Sequence, residues 1–181
     1  MLRRIARAMR SELLDWLRAL LASIPGAIGC KVRNLLYGFR AQPGCRVLRD
    51  VIIYFPEKLV LGRDVGISSH TQLNAAGGIE IGDDTLIGPG CAIWSVNHRF
   101  GNLSAPVRLQ GYNAQPITIG RDCWLGAHVT VLPGVQIGAS SIVAAGAVVT
   151  RSCEPGSILA GVPARQVGTR AGTRSGGLEG S

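Results

Sequence analysis

The feature that most constrains this chain is a beat of six residues running from Ile117 to Thr150, ITIGRDCWLGAHVTVLPGVQIGASSIVAAGAVVT. Ile119, Leu125, Val131, Ile137, Val143 and Val149 form one aliphatic track. Two residues before each member runs a second track, Ile117, Cys123, Val129, Val135, Ser141 and Ala147. A helix repeats every 3.6 residues and a strand every 2, so neither carries this period. A coil of very short strands joined by tight turns does carry it, returning an apolar residue to a central axis at each step. Gly120, Gly126 and Gly138 directly follow track members, and glycine's tolerance of positive φ suits such a turn. Repeats of this length predict a parallel β-helix.

The beat reaches further back, less regularly. Leu61, Ile67, Leu73 and Ile79 are spaced by six, and Ile81, Ile87 and Ile93 continue it with Gly82 and Gly88 at the turns. The next member would be residue 99, yet the pattern resumes only at Ile119. About twenty residues, VNHRFGNLSAPVRLQGYNAQP (96–116), are therefore expected to leave one coil as a loop, and loops on rigid scaffolds are where function tends to sit. The solenoid is predicted over 45–168, with residues 151–168 folding back along the coils. Residues 169–181, rich in Gly, Ser and Thr, are expected to be disordered.

Residues 1–44 form a separate appendage in this reading. Residues 1–24 spell a basic amphipathic helix, with Leu13, Leu14, Trp16, Leu17, Leu20, Leu21 and Ile24 on a broad apolar face. Pro25 and Gly26 end it, and a short second helix is expected around Lys31–Tyr37 within a basic connector. Glu12, Asp15 and Arg18 break any signal-peptide core, and the apolar run falls short of the ~20 residues of a membrane span. Two compatible readings stay open: contact with an anionic membrane surface, aided by Arg3, Arg4, Arg7 and Arg10, or packing on a solenoid end or a neighbouring subunit. Residues 1–49 hold ten Lys/Arg against two acidic residues, whereas the rest holds nine of each sign. The whole net charge of +8 thus sits at the N-terminus, and a neutral solenoid argues against nucleic-acid binding. Five cysteines without a CxxC pair, two of them on the inward track, suit a reduced cytoplasmic protein held, if at all, at the inner face of the membrane. No cluster has metal-ligand spacing, and Asp83–Asp84 reads as a polar turn.

His98 stands where the loop begins, just after Asn97. Imidazole is the usual general base near neutral pH. NHRF, a loop ending in QPITIG, then RDCWLGAHVTVLPGVQIG, SSIVAAGAVVT and ILAGVPAR resemble the hexapeptide-repeat acyltransferases with a left-handed parallel β-helix. The likeness spans about 45–168 and is strongest to the branch that acetylates sugars of bacterial surface polysaccharides, with galactoside, maltose and xenobiotic acetyltransferases as relatives.

The resemblance implies a homotrimer with sites between subunits, acetyl-CoA as co-substrate and a sugar or glycan acceptor. It makes His98 the base. It places a thioester-polarising N–H around Gly126–Ala127, Trp124 near pantetheine or acceptor, and Ala145 and Gly146 along the pantetheine arm. Thr150, Arg151 and Arg165 match the adenine and phosphate end. Asn97, Ser68, His70 and Tyr112 are the acceptor candidates, Ser69 and His70 being read as lying on the coil beneath the loop. Ser68 and Ala76 stand where galactoside-type enzymes carry an asparagine and an aspartate that grip the sugar, which counts against a simple galactoside. The expected activity is acetyl-CoA-dependent O-acetylation of a sugar hydroxyl in polysaccharide or lipopolysaccharide assembly. The alternatives are N- or O-acetylation of another small acceptor (a nucleotide-linked amino sugar, serine, an antibiotic) or a non-catalytic solenoid scaffold.

Overall fold

A computed structural model describes residues 2–170; the expectation for 171–181 lies outside the described residues. Two helices, α1 (Leu2–Ser23) and α2 (Gly26–Leu36), precede a left-handed parallel β-helix of triangular section. Its first face stacks Arg40–Ala41, Leu59–Leu61, Ile79–Ile81, Ile117–Ile119 and Gln136–Ile137. Its second face stacks Arg46–Val47, Gly66–Ile67, Leu86–Ile87, Trp124–Leu125, Ile142–Val143 and Ser157–Ala160, closed by Arg165–Thr169. The third stacks Ile52–Tyr54, Gln72–Asn74, Ala92–Trp94, Thr130–Val131 and Val148–Val149.

All twelve residues of the two sequence tracks are buried. They form one continuous core whose strands are each too short to bury a face alone. Coil length is not uniform. Thr118 stands beside Gln136, a coil of 18 residues or three hexads, whereas Leu59 stands beside Ile79, a coil of 20. The two extra residues fall between Leu73 and Ile81, at the corner joining the third face to the first. Leu73 and Ile79 are six apart but belong to different tracks, so the sequence beat slips there. The long loop leaves the solenoid at this same corner.

The domain edges differ from the sequence expectation in four ways. The first ladder strand is Arg40–Ala41, paired with Val60–Leu61, earlier than residue 45. The second helix starts at Gly26, immediately after Pro25, rather than near Lys31. After Thr150 the chain does not fold back: Cys153 bridges Ile137, and Ser157–Ala160 stacks parallel on Ile142–Val143. Only Arg165–Thr169 turns antiparallel, covering the sheet edge. Thr169 pairs with Ser157, and the Arg170 guanidinium donates to the Asp122 carboxylate at 2.6 Å, so these two residues are ordered parts of the cap.

The other end is capped by the helices. Leu21, Tyr37 and Phe39 enter the solenoid core, and the fully buried Arg33 joins α1, α2 and the first coil. Its guanidinium donates to the carbonyls of Leu21 (2.8 Å) and Ile24 (2.7 Å), and Nε donates to Val47 (2.9 Å). The free carbonyls at the end of α1 thus receive both hydrogen bonds and a cation.

Candidate functional site

The corners between faces set the geometry. Gly62, Gly82, Gly88, Gly120, Gly126 and Gly138 follow buried track residues, but none of them has positive φ. They are glycine because the next coil's backbone lies against them: a Cβ on Gly88 would stand 2.7 Å from the Gly126 carbonyl carbon and 2.8 Å from the Ala127 nitrogen. The left-handed position comes two residues later and is held by Asp64, Asp84, Gly90, Asp122, His128 and Ser140, with His70 in the same place two residues after Ser68, types that include the glycine and short polar side chains suited to it. One residue further on, buried small side chains tie coil to coil. Thr71 donates to Gly88 O (3.0 Å), Thr85 to Gly120 O (2.8 Å), Cys91 to Gly126 O (3.2 Å) and Cys123 to Gly138 O (3.2 Å).

These corner positions account for several residues whose types could suggest chemistry. Burial pushes the Cys45, Cys91 and Cys123 thiols up, so they are structural rather than nucleophilic. Asp83 accepts the Arg63 N–H (2.9 Å) and guanidinium (2.8 Å), which hold its carboxyl below the usual carboxylate range; it is a turn residue. His128 occupies a left-handed corner with its ring over Gly90.

The loop is a built structure rather than a slack excursion. It leaves the solenoid at Ser95 and returns at Gln115, whose N–H donates to the Ser95 carbonyl (2.9 Å). The Ser95 hydroxyl donates to Asn74 O (2.7 Å) and accepts the Gly77 N–H (2.8 Å), locking this neck to the coil below. A Cβ on Gly77 would strike both Ser95 and Gln115 backbone. Val96–His98 then pairs antiparallel with Tyr112–Ala114, placing His98 opposite Tyr112 and Asn97 opposite Asn113. The His98 and Tyr112 rings lie 4.5 Å apart, tilted by 39°, on the exposed end of this ribbon. Beyond it, Gln110 accepts the Asn102 N–H (3.0 Å) and donates to the carbonyls of Asn102 (2.8 Å) and Ala105 (2.7 Å). The sequence reading missed Ser95 and Gln110.

The remaining candidates gather elsewhere. Gly126, Ala127, Ala145 and Gly146 stack at the corner between the second and third faces, with Gly146 N–H donating to Ala127 O (2.8 Å). Ser68 and His70 belong to the same column of corners two coils below, not beneath the loop. What lies under the neck is the stretch Ala76–Gly78. Trp124 is exposed on the second face and shares a groove with Ser68, Leu86 and Leu48. Arg151 and Arg165 line one groove near the C-terminal cap, and Thr150 is the residue before Arg151. The His98 ribbon and the Gly126 column therefore occupy different edges of the prism.

Residues 116–151 match the family model described as bacterial transferase hexapeptide, six repeats. A probable acetyltransferase of Mycobacterium tuberculosis is 37% identical over 116 residues, 64% of this chain and 37% of the relative. The galactoside O-acetyltransferase of Escherichia coli is 38% identical over 90 residues, 49% of this chain and 43% of the relative. The matched part of the chain thus spans less than half the length of these two relatives. A hexapeptide-repeat acetyltransferase from Vibrio cholerae, solved with acetyl-coenzyme A, superposes with a TM-score of 0.75 at 27% identity, covering 87% of each chain. Residues 116–151 thus carry the bacterial transferase hexapeptide repeat, and the chain is similar in sequence and fold to proteins described as acetyltransferases.

Proposed function

We propose that this protein is an acetyl-CoA-dependent O-acetyltransferase acting on a sugar hydroxyl in the assembly of a surface polysaccharide or lipopolysaccharide. The observation that carries the reading is the placement of His98: an exposed imidazole on an ordered ribbon, 4.5 Å from the Tyr112 ring and tilted against it, at the corner where the long loop leaves the solenoid. The relatives reported above are described as a probable acetyltransferase and a galactoside O-acetyltransferase, and the structural neighbour, an acetyltransferase, was solved with acetyl-coenzyme A.

The residues present fit a thioester co-substrate. Ala127 N–H, unlike the N–H groups of Gly126 and Gly146 beside it, donates to no backbone or side-chain acceptor among the described residues. It can polarise a carbonyl. Beside it, a Cβ on Gly146 would meet nothing within 4 Å, and Ala145 adds only a methyl group, leaving the corner open to a thin flexible arm. Arg151 and Arg165 supply two cations for phosphates. Acetyl-CoA, when bound, supplies the acetyl group as a thioester. His98 accepts the proton of the acceptor hydroxyl as its oxygen forms the new ester bond, and returns that proton to the departing thiol. Tyr112 fixes the imidazole plane and, with Asn97, offers polar atoms to the acceptor.

His98 and Ala127 lie on separate edges of one chain, so the site is best completed by pairing the ribbon of one copy with the corner of another in a homotrimer. The acceptor differs from a simple galactoside. Ala76 carries no side-chain polar atom at the loop's foot, and Lys58, donating to Ala76 O (2.8 Å), stands there instead. The test is CoA release from acetyl-CoA across a panel of free sugars, lipid-linked sugars, amino sugars and serine. Turnover on hydroxyl acceptors supports the reading; turnover confined to amines transfers it to N-acetylation, and failure to bind acetyl-CoA removes it.

A further inference from the structure

The side of α1 that faces away from the solenoid is apolar. At 3.6 residues per turn, Met9, Leu13, Trp16 and Leu20 share one stripe with Leu17 at its flank, and the first four are 65–70% exposed. The attachment of α1 uses other positions. Leu21 is buried in the core, Ala19 and Ala22 line an apolar groove against Val51 and Ile53, and Ala22 O accepts the Asp50 N–H at 2.8 Å. The stripe is therefore not left over from packing on this chain; it points outward from a helix already held at its other side.

Charge selects the occupant. All of the net +8 lies in residues 1–49, and five arginines (3, 4, 7, 10 and 18) belong to α1 itself. A second copy laid against the stripe would bring an equally basic appendage against this one, whereas an anionic surface compensates it. No helix among the described residues is long and apolar enough to cross a membrane. We propose that α1 seats its Met9–Leu13–Trp16–Leu20 stripe in the headgroup layer of an anionic lipid bilayer, drawn there by the net positive charge of residues 1–49. The helix is ~33 Å long at ~1.5 Å per residue. It is anchored through Arg33 and Leu21 to the solenoid's N-terminal end, so that end of the prism rests on the lipid surface. This inference needs no substrate and stands apart from the acetyltransfer reading.

The experiment is co-sedimentation of the full chain with vesicles of phosphatidylcholine alone or of phosphatidylcholine with phosphatidylglycerol, in low and high salt. The expected result is binding to the mixed vesicles only, weakened by salt. Leu13→Glu/Leu20→Glu should reduce the bound fraction roughly tenfold or more, with the melting transition and the mass by light scattering unchanged. Should that variant fail to fold, Arg3→Gln/Arg7→Gln/Arg10→Gln should abolish the preference for anionic lipid. Wild-type binding to neither vesicle, or equally to both, overturns the proposal. So does dissociation of an assembly by Leu13→Glu/Leu20→Glu, which would make the stripe a contact between copies, or unchanged lipid preference in the arginine variant.

Discussion

Gly88 and Gly146 are glycine for opposite reasons, and single methyl groups separate them. A Cβ at Gly88 meets the backbone of the next coil at 2.7 Å, and φ there is not positive. Gly88→Ala must force two coils apart and should cost about 1–3 kcal/mol, measured by denaturant unfolding. Gly146→Ala meets no atom but must hold φ near +72°, so its cost should stay near ~1 kcal/mol. The sequence beat gives them different places, Gly88 directly after the track residue Ile87 and Gly146 three after Val143, but not their reasons. A six-residue period says which residues point inward, not whose backbone lies over a turn. The left-handed corner comes two residues after the glycine position and is Asp at 64, 84 and 122, His at 70 and 128, Ser at 140 and Gly at 90 and 146. His98 was legible because it breaks the repeat, and Ala127 only through the family resemblance, since an undonated N–H leaves no mark on residue type.

At the scale of elements, the helical cap and the loop each hang on one polar side chain invisible to periodicity. Arg33 lies among the helical residues as one basic residue of several, yet it is buried and serves the carbonyls of Leu21, Ile24 and Val47. Arg33→Met keeps much of the volume and strands those acceptors, so it should destabilise the protein by roughly 3 kcal/mol or more, lowering the thermal midpoint. A midpoint unchanged by this substitution would mean the cap contributes nothing to the fold. Gln110 plays the matching part in the loop, bridging eight residues to Asn102. The interrupted beat gives the loop's position and length, but a contact formed across eight residues of irregular chain has no periodic signature. Because Gln110 is remote from the core, Gln110→Ala should shift stability by less than ~1 kcal/mol. It should nonetheless slow turnover several-fold, because the His98 ribbon loses its support. Kinetics and melting on one preparation separate the two effects.

For the whole molecule, the decisive fact is that the ribbon and the Ala127 corner sit on different edges of a triangular prism. The coil-length change from 20 to 18 residues explains where the ribbon emerges: the corner between the third and first faces already accommodates two extra residues in the earlier coils. The sequence contains that slip between Leu73 and Ile81, masked by the chance spacing of Leu73 and Ile79. If two copies build each site, co-expressing His98→Ala with Gly146→Trp should restore part of the activity each lacks alone. No restoration would place the whole site within one chain. Whether His98 is the base of an acetyl transfer is decided by CoA release in wild type and His98→Ala with an accepted hydroxyl substrate. Turnover should fall ~10²–10⁴-fold with acetyl-CoA binding retained; turnover in His98→Ala equal to wild type would mean that another group takes the proton.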